Sequence, residues 1–132
     1  MERRAFKLFV EKLKSFGFKV YINKLSSPYN YAVFTDGKNI GYMEKAHFNQ
    51  EGVKFSTVHK PSRNYGTGFA CREKDSPVVL SELTPEIARQ AFATIPPYFT
   101  NWVQEPIRKY EDFEDWKRNA LTADQYNLEH EA

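Results

Sequence analysis

The chain has a single cysteine, Cys71, so no disulfide can form within it, and this usage fits a reducing, cytoplasmic compartment. No stretch approaches the roughly 18–20 apolar residues of a membrane span, so no membrane contact is expected. Met1-Glu2-Arg3-Arg4-Ala5-Phe6 has neither the apolar run nor the small-residue cleavage site of a secretory leader. Internal repeats and low-complexity tracts are absent. The histidines, His47, His59 and His130, are scattered without metal-ligand spacing, and Cys71 has no neighbouring cysteine, so no metal site is predicted. Gly66-Thr67-Gly68 lacks both the third glycine of a dinucleotide loop and the Gly-Lys-Ser/Thr of a phosphate loop. A strand pattern, not a helix, follows it. No cofactor and no catalytic motif emerge, and the expectation is a non-enzymatic protein.

What is present describes one globular domain over 1–132, a length that buries about two thirds of the unfolded surface. Aromatics reach 16%, which suits strands and thick cores, and also binding surfaces. The net charge of +2 hides two opposed halves. Residues 1–74 carry fourteen Lys/Arg against six Asp/Glu, and residues 75–132 carry five against eleven. A basic working face with an acidic tail fits this asymmetry, as does simple packing of one half near the other.

Phe6, Phe9, Val10, Leu13 and Phe16 form one apolar stripe at helical spacing, which predicts a helix over 1–16 ending at a left-handed Gly17. The period then changes to two. Phe18, Val20 and Ile22 alternate with polar neighbours, Leu25 to Pro28 interrupts, and Tyr31 to Thr35 reads as the next strand. Asp36-Gly37 predicts a hairpin turn with those two residues at its centre, and Gly41 in the return strand Asn39–Met43 predicts a bulge or a close contact. A turn over Asn49–Gly52, strands over 53–59 and 67–72, and the polar loop between them complete an antiparallel meander of about five strands within 18–80. In that pairing Cys71 lies opposite Phe55 and away from His59, so it reads as a core thiol and not as half of a nucleophile pair.

From Thr84 the pattern is helical again through 84–120. Thr84 is an N-cap, Pro85 a first-turn proline, and Ile87, Ala88, Ala91, Phe92 and Ile95 an apolar face closed by Pro96-Pro97. Pro106 opens a second pattern with Ile107, Tyr110, Phe113 and Trp116 as its stripe, and residues 121–132 are predicted to fray. The fold class predicted is α+β, an antiparallel sheet packed against an N-terminal helix and C-terminal helices. One sheet face carries the helices, and the other is left to polar residues, a second copy or a partner.

Two segments suggest ligands. Lys54, His59, Lys60, Arg63, Arg72 and Lys74 interleave with Tyr65 and Phe69, and cations with exposed rings are what nucleic acid requires. Lys54, Lys60, Arg63, Arg72 and Lys74 are assigned to phosphates and Tyr65 to base stacking. Tyr110-Glu111-Asp112-Phe113-Glu114-Asp115-Trp116 alternates negative charge with rings. It reads most simply as the solvated face of a helix, and alternatively as a partner-binding surface that enters the basic groove of a host nucleic-acid-handling protein.

The stretch Tyr31-Ala32-Val33-Phe34-Thr35-Asp36-Gly37 through Ile40-Gly41-Tyr42, with Phe55 to Pro61 and Gly66 to Phe69, resembles small accessory proteins of bacterial plasmids and phages. The resemblance spans about residues 30–70. It implies a mobile genetic element setting, in which DNA handling and counter-defence are common roles, and it carries over no catalytic residue.

Overall fold

The computed structural model describes residues 2–25, 31–44, 48–49, 52–53, 56–59, 68–71, 80–99 and 110–129. Helix α1 covers Glu2–Ser15 and is followed by strands β1 (Lys19–Ile22), β2 (Tyr31–Thr35), β3 (Asn39–Glu44), β4 (Phe48–Asn49), β5 (Gly52–Val53), β6 (Ser56–His59) and β7 (Gly68–Cys71). A single 3₁₀ turn at Leu80–Glu82 leads into α2 (Pro85–Arg89), β8 (Ala93–Thr94), α3 (Phe113–Arg118), β9 (Leu121–Thr122) and α4 (Ala123–Glu129). The protein is α+β. Its main sheet has the order β7-β6-β3-β2-β1-β9, with β8 also paired to β3, and every pairing is antiparallel. The predicted meander is therefore present as β1-β2-β3-β6-β7, while β4 and β5 form a separate two-stranded hairpin. The strand predicted over 53–59 is thus described as two pieces, β5 and β6.

In β1, β2 and β3 side chains alternate between the two faces, and both faces there carry buried residues. Val20, Ile22, Ala32, Phe34 and Met43 face a core built with Phe6, Phe9, Val10 and Leu13 of α1, Ala88 of α2 and Tyr126 of α4. Tyr31, Val33, Ile40 and Tyr42 face the other way, onto Phe99, Tyr110, Phe113 and Trp116. Over β2 and β3 the second face is thus closed by the protein's own rings and not left to polar residues or a partner, which corrects the sequence expectation for that part of the sheet. Trp116 is the centre of that closure. Its ring stacks on Tyr31 at 5.9 Å, and its Nε1 donates to the Tyr31 hydroxyl at 2.8 Å, across 85 residues of sequence.

The helix predicted through Ile95 is shorter than its apolar pattern suggests. Thr84 caps it as expected, accepting from the Ile87 amide at 3.2 Å, but α2 ends at Arg89. Phe92 packs against Phe18 and Phe34 on one face of the sheet, whereas Ile95 packs on the opposite face. A helix turn cannot send residues three apart through the two sides of a sheet. An extended segment can, and β8 takes backbone partners along β3, Ile40 opposite Ala93 and Asn39 opposite Thr94. The segment predicted to fray is also ordered through Glu129. Thr122 and Leu121 pair with Tyr21 and Ile22, and α4 packs Tyr126 edge-on against Phe6. The helix start predicted at Pro106 and Ile107 lies outside the described residues.

Candidate functional site

The β2–β3 turn shows how local chemistry builds one end of the sheet. Thr35 lies opposite Ile40, so the two residues at the centre of the turn are Gly37 and Lys38, one step beyond the predicted Asp36-Gly37. Gly37 has φ +102°, a backbone conformation that glycine adopts without steric cost. Asp36 closes the turn from its side, its Oδ1 accepting from the amides of Lys38 and Asn39 at 2.9 and 2.8 Å. Desolvation pulls the Asp36 carboxyl upward, but these amide bonds and the Asn39 side chain outweigh it and hold it below the usual carboxylate range. Lys38 is left exposed at the tip.

The β6–β7 hairpin has a fully determined register. Ser56 faces Cys71, Thr57 faces Ala70, Val58 faces Phe69 and His59 faces Gly68. Cys71 therefore lies opposite Ser56, one residue from the predicted Phe55, and three pairs away from His59, so the two do not meet. Lys54, Lys60, Arg63, Tyr65, Arg72 and Lys74, the predicted nucleic-acid contacts, lie outside the described residues. The register nevertheless divides them by where their chain leaves the hairpin. Lys60, Arg63 and Tyr65 belong to the connection between His59 and Gly68, and Lys54, Arg72 and Lys74 flank the opposite end at Ser56 and Cys71 in sequence.

The acidic-aromatic segment is described in full, and its alternation has a structural explanation. Tyr110, Phe113 and Trp116 are buried on the second face of the sheet, so Tyr110 is not available to a partner. Asp112 is the N-cap of α3, accepting from the Asp115 amide at 2.8 Å. Asp115 accepts from the Glu111 amide at 3.1 Å and pairs with Arg118 at 3.5 Å. Glu114 pairs with Lys117 at 2.8 Å, and the Lys117 ammonium lies 4.9 Å from the Phe113 ring centroid. Rings turn to the sheet and acids cap or pair along the outer side. Of the predicted partner contacts, Glu111, Asp112 and Glu114 remain exposed.

Among the described residues no group of three His, Cys, Asp or Glu side chains is arranged to hold a metal ion, and no helix is long and apolar enough to cross a membrane. No protein-family model, no curated protein and no solved structure matches this chain.

Proposed function

We propose that this chain is a non-enzymatic nucleic-acid-binding accessory protein of a bacterial mobile element, with the 54–74 hairpin as its contact. The observation that carries the reading is the pairing of His59 with Gly68. Because those residues face each other, Lys60, Arg63 and Tyr65 share one short connection between two paired strands. Two cations and a ring brought into one connection suit a phosphate backbone with an unstacked base beside it. Most of the described aromatic residues are engaged in the fold. Eleven Phe, Tyr and Trp side chains with defined surroundings are core, among them Phe34, Tyr126 and Trp116, and Tyr98 is the large ring left 76% exposed.

The test is the double variant Lys60→Glu, Arg63→Glu, titrated against labelled single-stranded and duplex DNA and RNA. Binding at physiological salt should be lost, since two phosphate contacts are replaced by repulsions. Affinity equal to that of the parent chain contradicts the assignment.

A second reading draws on the exposed acids of the α3 segment, which offer negative charge to a basic groove on a host nucleic-acid enzyme. It predicts a stable complex with such a protein, lost on reversing Glu111 and Glu114. Those two are the informative positions, because Asp112 and Asp115 hold α3 in place. A complex that survives the reversal excludes these acids as the contact.

A further inference from the structure

We infer that Asp36-Gly37 is a latent modification site, at which aspartate rearranges to isoaspartate when the β2–β3 turn opens and is held unreacted while the turn is closed. The inference is independent of the nucleic-acid reading above. Of the six glycines in the chain, only Gly37 follows an Asp or Asn. Glycine offers its amide nitrogen to the preceding side chain with no Cβ in the way. Asp36, Gly37 and Lys38 are all exposed, so water reaches the turn.

The rearrangement needs no reagent but water. The Gly37 nitrogen attacks Cγ of the protonated Asp36 carboxyl. The N–Cγ bond forms, the amide proton and the carboxyl hydroxyl depart together as water, and a succinimide ring joins the two residues. One water then adds back. Cleavage of the new N–Cγ bond regenerates aspartate. Cleavage between the nitrogen and the main-chain carbonyl carbon leaves Gly37 attached through Cγ, with the α-carboxylate free. Mass is unchanged, and nothing is oxidised or reduced. The product carries one extra main-chain atom between β2 and β3, which loosens the register that sets Phe34 opposite Gly41.

The closed turn opposes the first step at both reacting groups. The Gly37 N–H donates to the Thr35 hydroxyl at 2.9 Å, and that hydroxyl is fixed by donating to the Asn39 carbonyl at 2.7 Å. Asp36 Oδ1 accepts from the amides of Lys38 and Asn39. Ring closure requires an eclipsed torsion about Cα–Cβ, away from the staggered wells, and draws the carboxyl off these donors. Desolvation pulls the Asp36 carboxyl upward, but the same bonds outweigh it and deplete the protonated form whose hydroxyl can leave. The backbone is tied down as well. The Asp36 amide donates to the Asn39 carbonyl at 3.3 Å, and the Ile95 amide beside β8 donates to the Lys38 carbonyl at 3.1 Å.

The full chain should be incubated at neutral pH, folded and in denaturing urea, and isoaspartate at position 36 quantified by electron-transfer mass spectrometry of its peptide. The unfolded chain should form it at least about tenfold faster, the effect of the hydrogen bonds that must break before attack. Thr35→Val, verified as folded by circular dichroism, should raise the folded-state rate about two- to tenfold, as expected for one neutral bond. It should leave the rate in urea unchanged, and Thr35→Ser, which keeps the hydroxyl, should restore the parent's rate. Equal rates in the folded and unfolded parent overturn the inference, as does isoaspartate in neither state. A folded Thr35→Val at the parent's rate also overturns it, as does one whose rate rises by the same factor in urea, where no turn exists. Should Thr35→Val fail to fold, the comparison of folded and unfolded parent decides alone.

Discussion

Phe34 and Gly41 face each other across β2 and β3, and the ring lies directly over the glycine. A Cβ at position 41 would stand closer than 3.0 Å to Cζ, Cε1 and Cε2 of Phe34, all of them in the buried core. The backbone needs no special φ there, so the requirement for glycine is space. Gly41→Ala should therefore destabilise the fold by about 1–3 kcal/mol, the usual range for overpacking, as read from the midpoint of urea unfolding. A variant as stable as the parent would show that the ring shifts without cost. Tyr31 and Trp116 make the complementary case, in which a single polar bond joins two stacked rings. Tyr31→Phe leaves the buried Trp116 N–H without its acceptor and should cost about 1–3 kcal/mol in the same measurement. The sequence indicated that Gly41 was unusual, because glycine weakens a strand, but it could not name the ring above it.

At the scale of elements, legibility follows the range of the interactions involved. Helix α1 and its Gly17 terminus were readable because an apolar stripe and a positive-φ residue are local signals, and Gly17 does adopt φ +93°. The Thr84 cap was readable for the same reason. Strands β8 and β9 were not, since two residues become a strand only when β3 and β1 supply their partners from far along the chain. The β2–β3 turn was located to within one residue, with Asp36 moving from its centre to the position that closes it. That role has a pH signature. The folded pKa of Asp36 lies below the unfolded value of about 3.9, so its contribution is complete above that value and is lost as pH falls through the folded one. The difference in Tm between the parent and Asp36→Ala should accordingly narrow as pH drops below about 4. A difference that stays constant down to strongly acidic pH would remove the carboxylate as its source. In α3, Asp112→Ala should cost about 0.5–2 kcal/mol through loss of the cap, and Glu111→Ala close to nothing.

At the scale of the whole molecule, the sheet divides the protein into two cores, one under α1, α2 and α4 and one under the rings that include Phe99, Tyr110 and those of α3. The stripe of Tyr110, Phe113 and Trp116 was plain in the sequence, yet spacing alone does not tell which surface a stripe will cover. It covers the sheet face that the sequence left open, and this removes the rings from the acidic-aromatic surface while leaving Glu111 and Glu114 outward. The ion pairs among the described residues are of both kinds, between the two charged halves and within one of them. Lys14 with Asp124 joins them, but Glu114 with Lys117 and Asp115 with Arg118 lie within the acidic half. Lys19 and Lys38 in the basic half have no ion pair among the described residues, and the proposed function draws on the same excess of positive charge in that half, at Lys60 and Arg63.

The central claim is that this charge meets nucleic acid, and fluorescence anisotropy of the unaltered chain with labelled single- and double-stranded DNA and RNA at two salt concentrations tests it most directly. Binding to at least one form is expected at low salt, weakening steeply at the higher concentration as counterion release requires. Absence of binding to all four at low salt would contradict it.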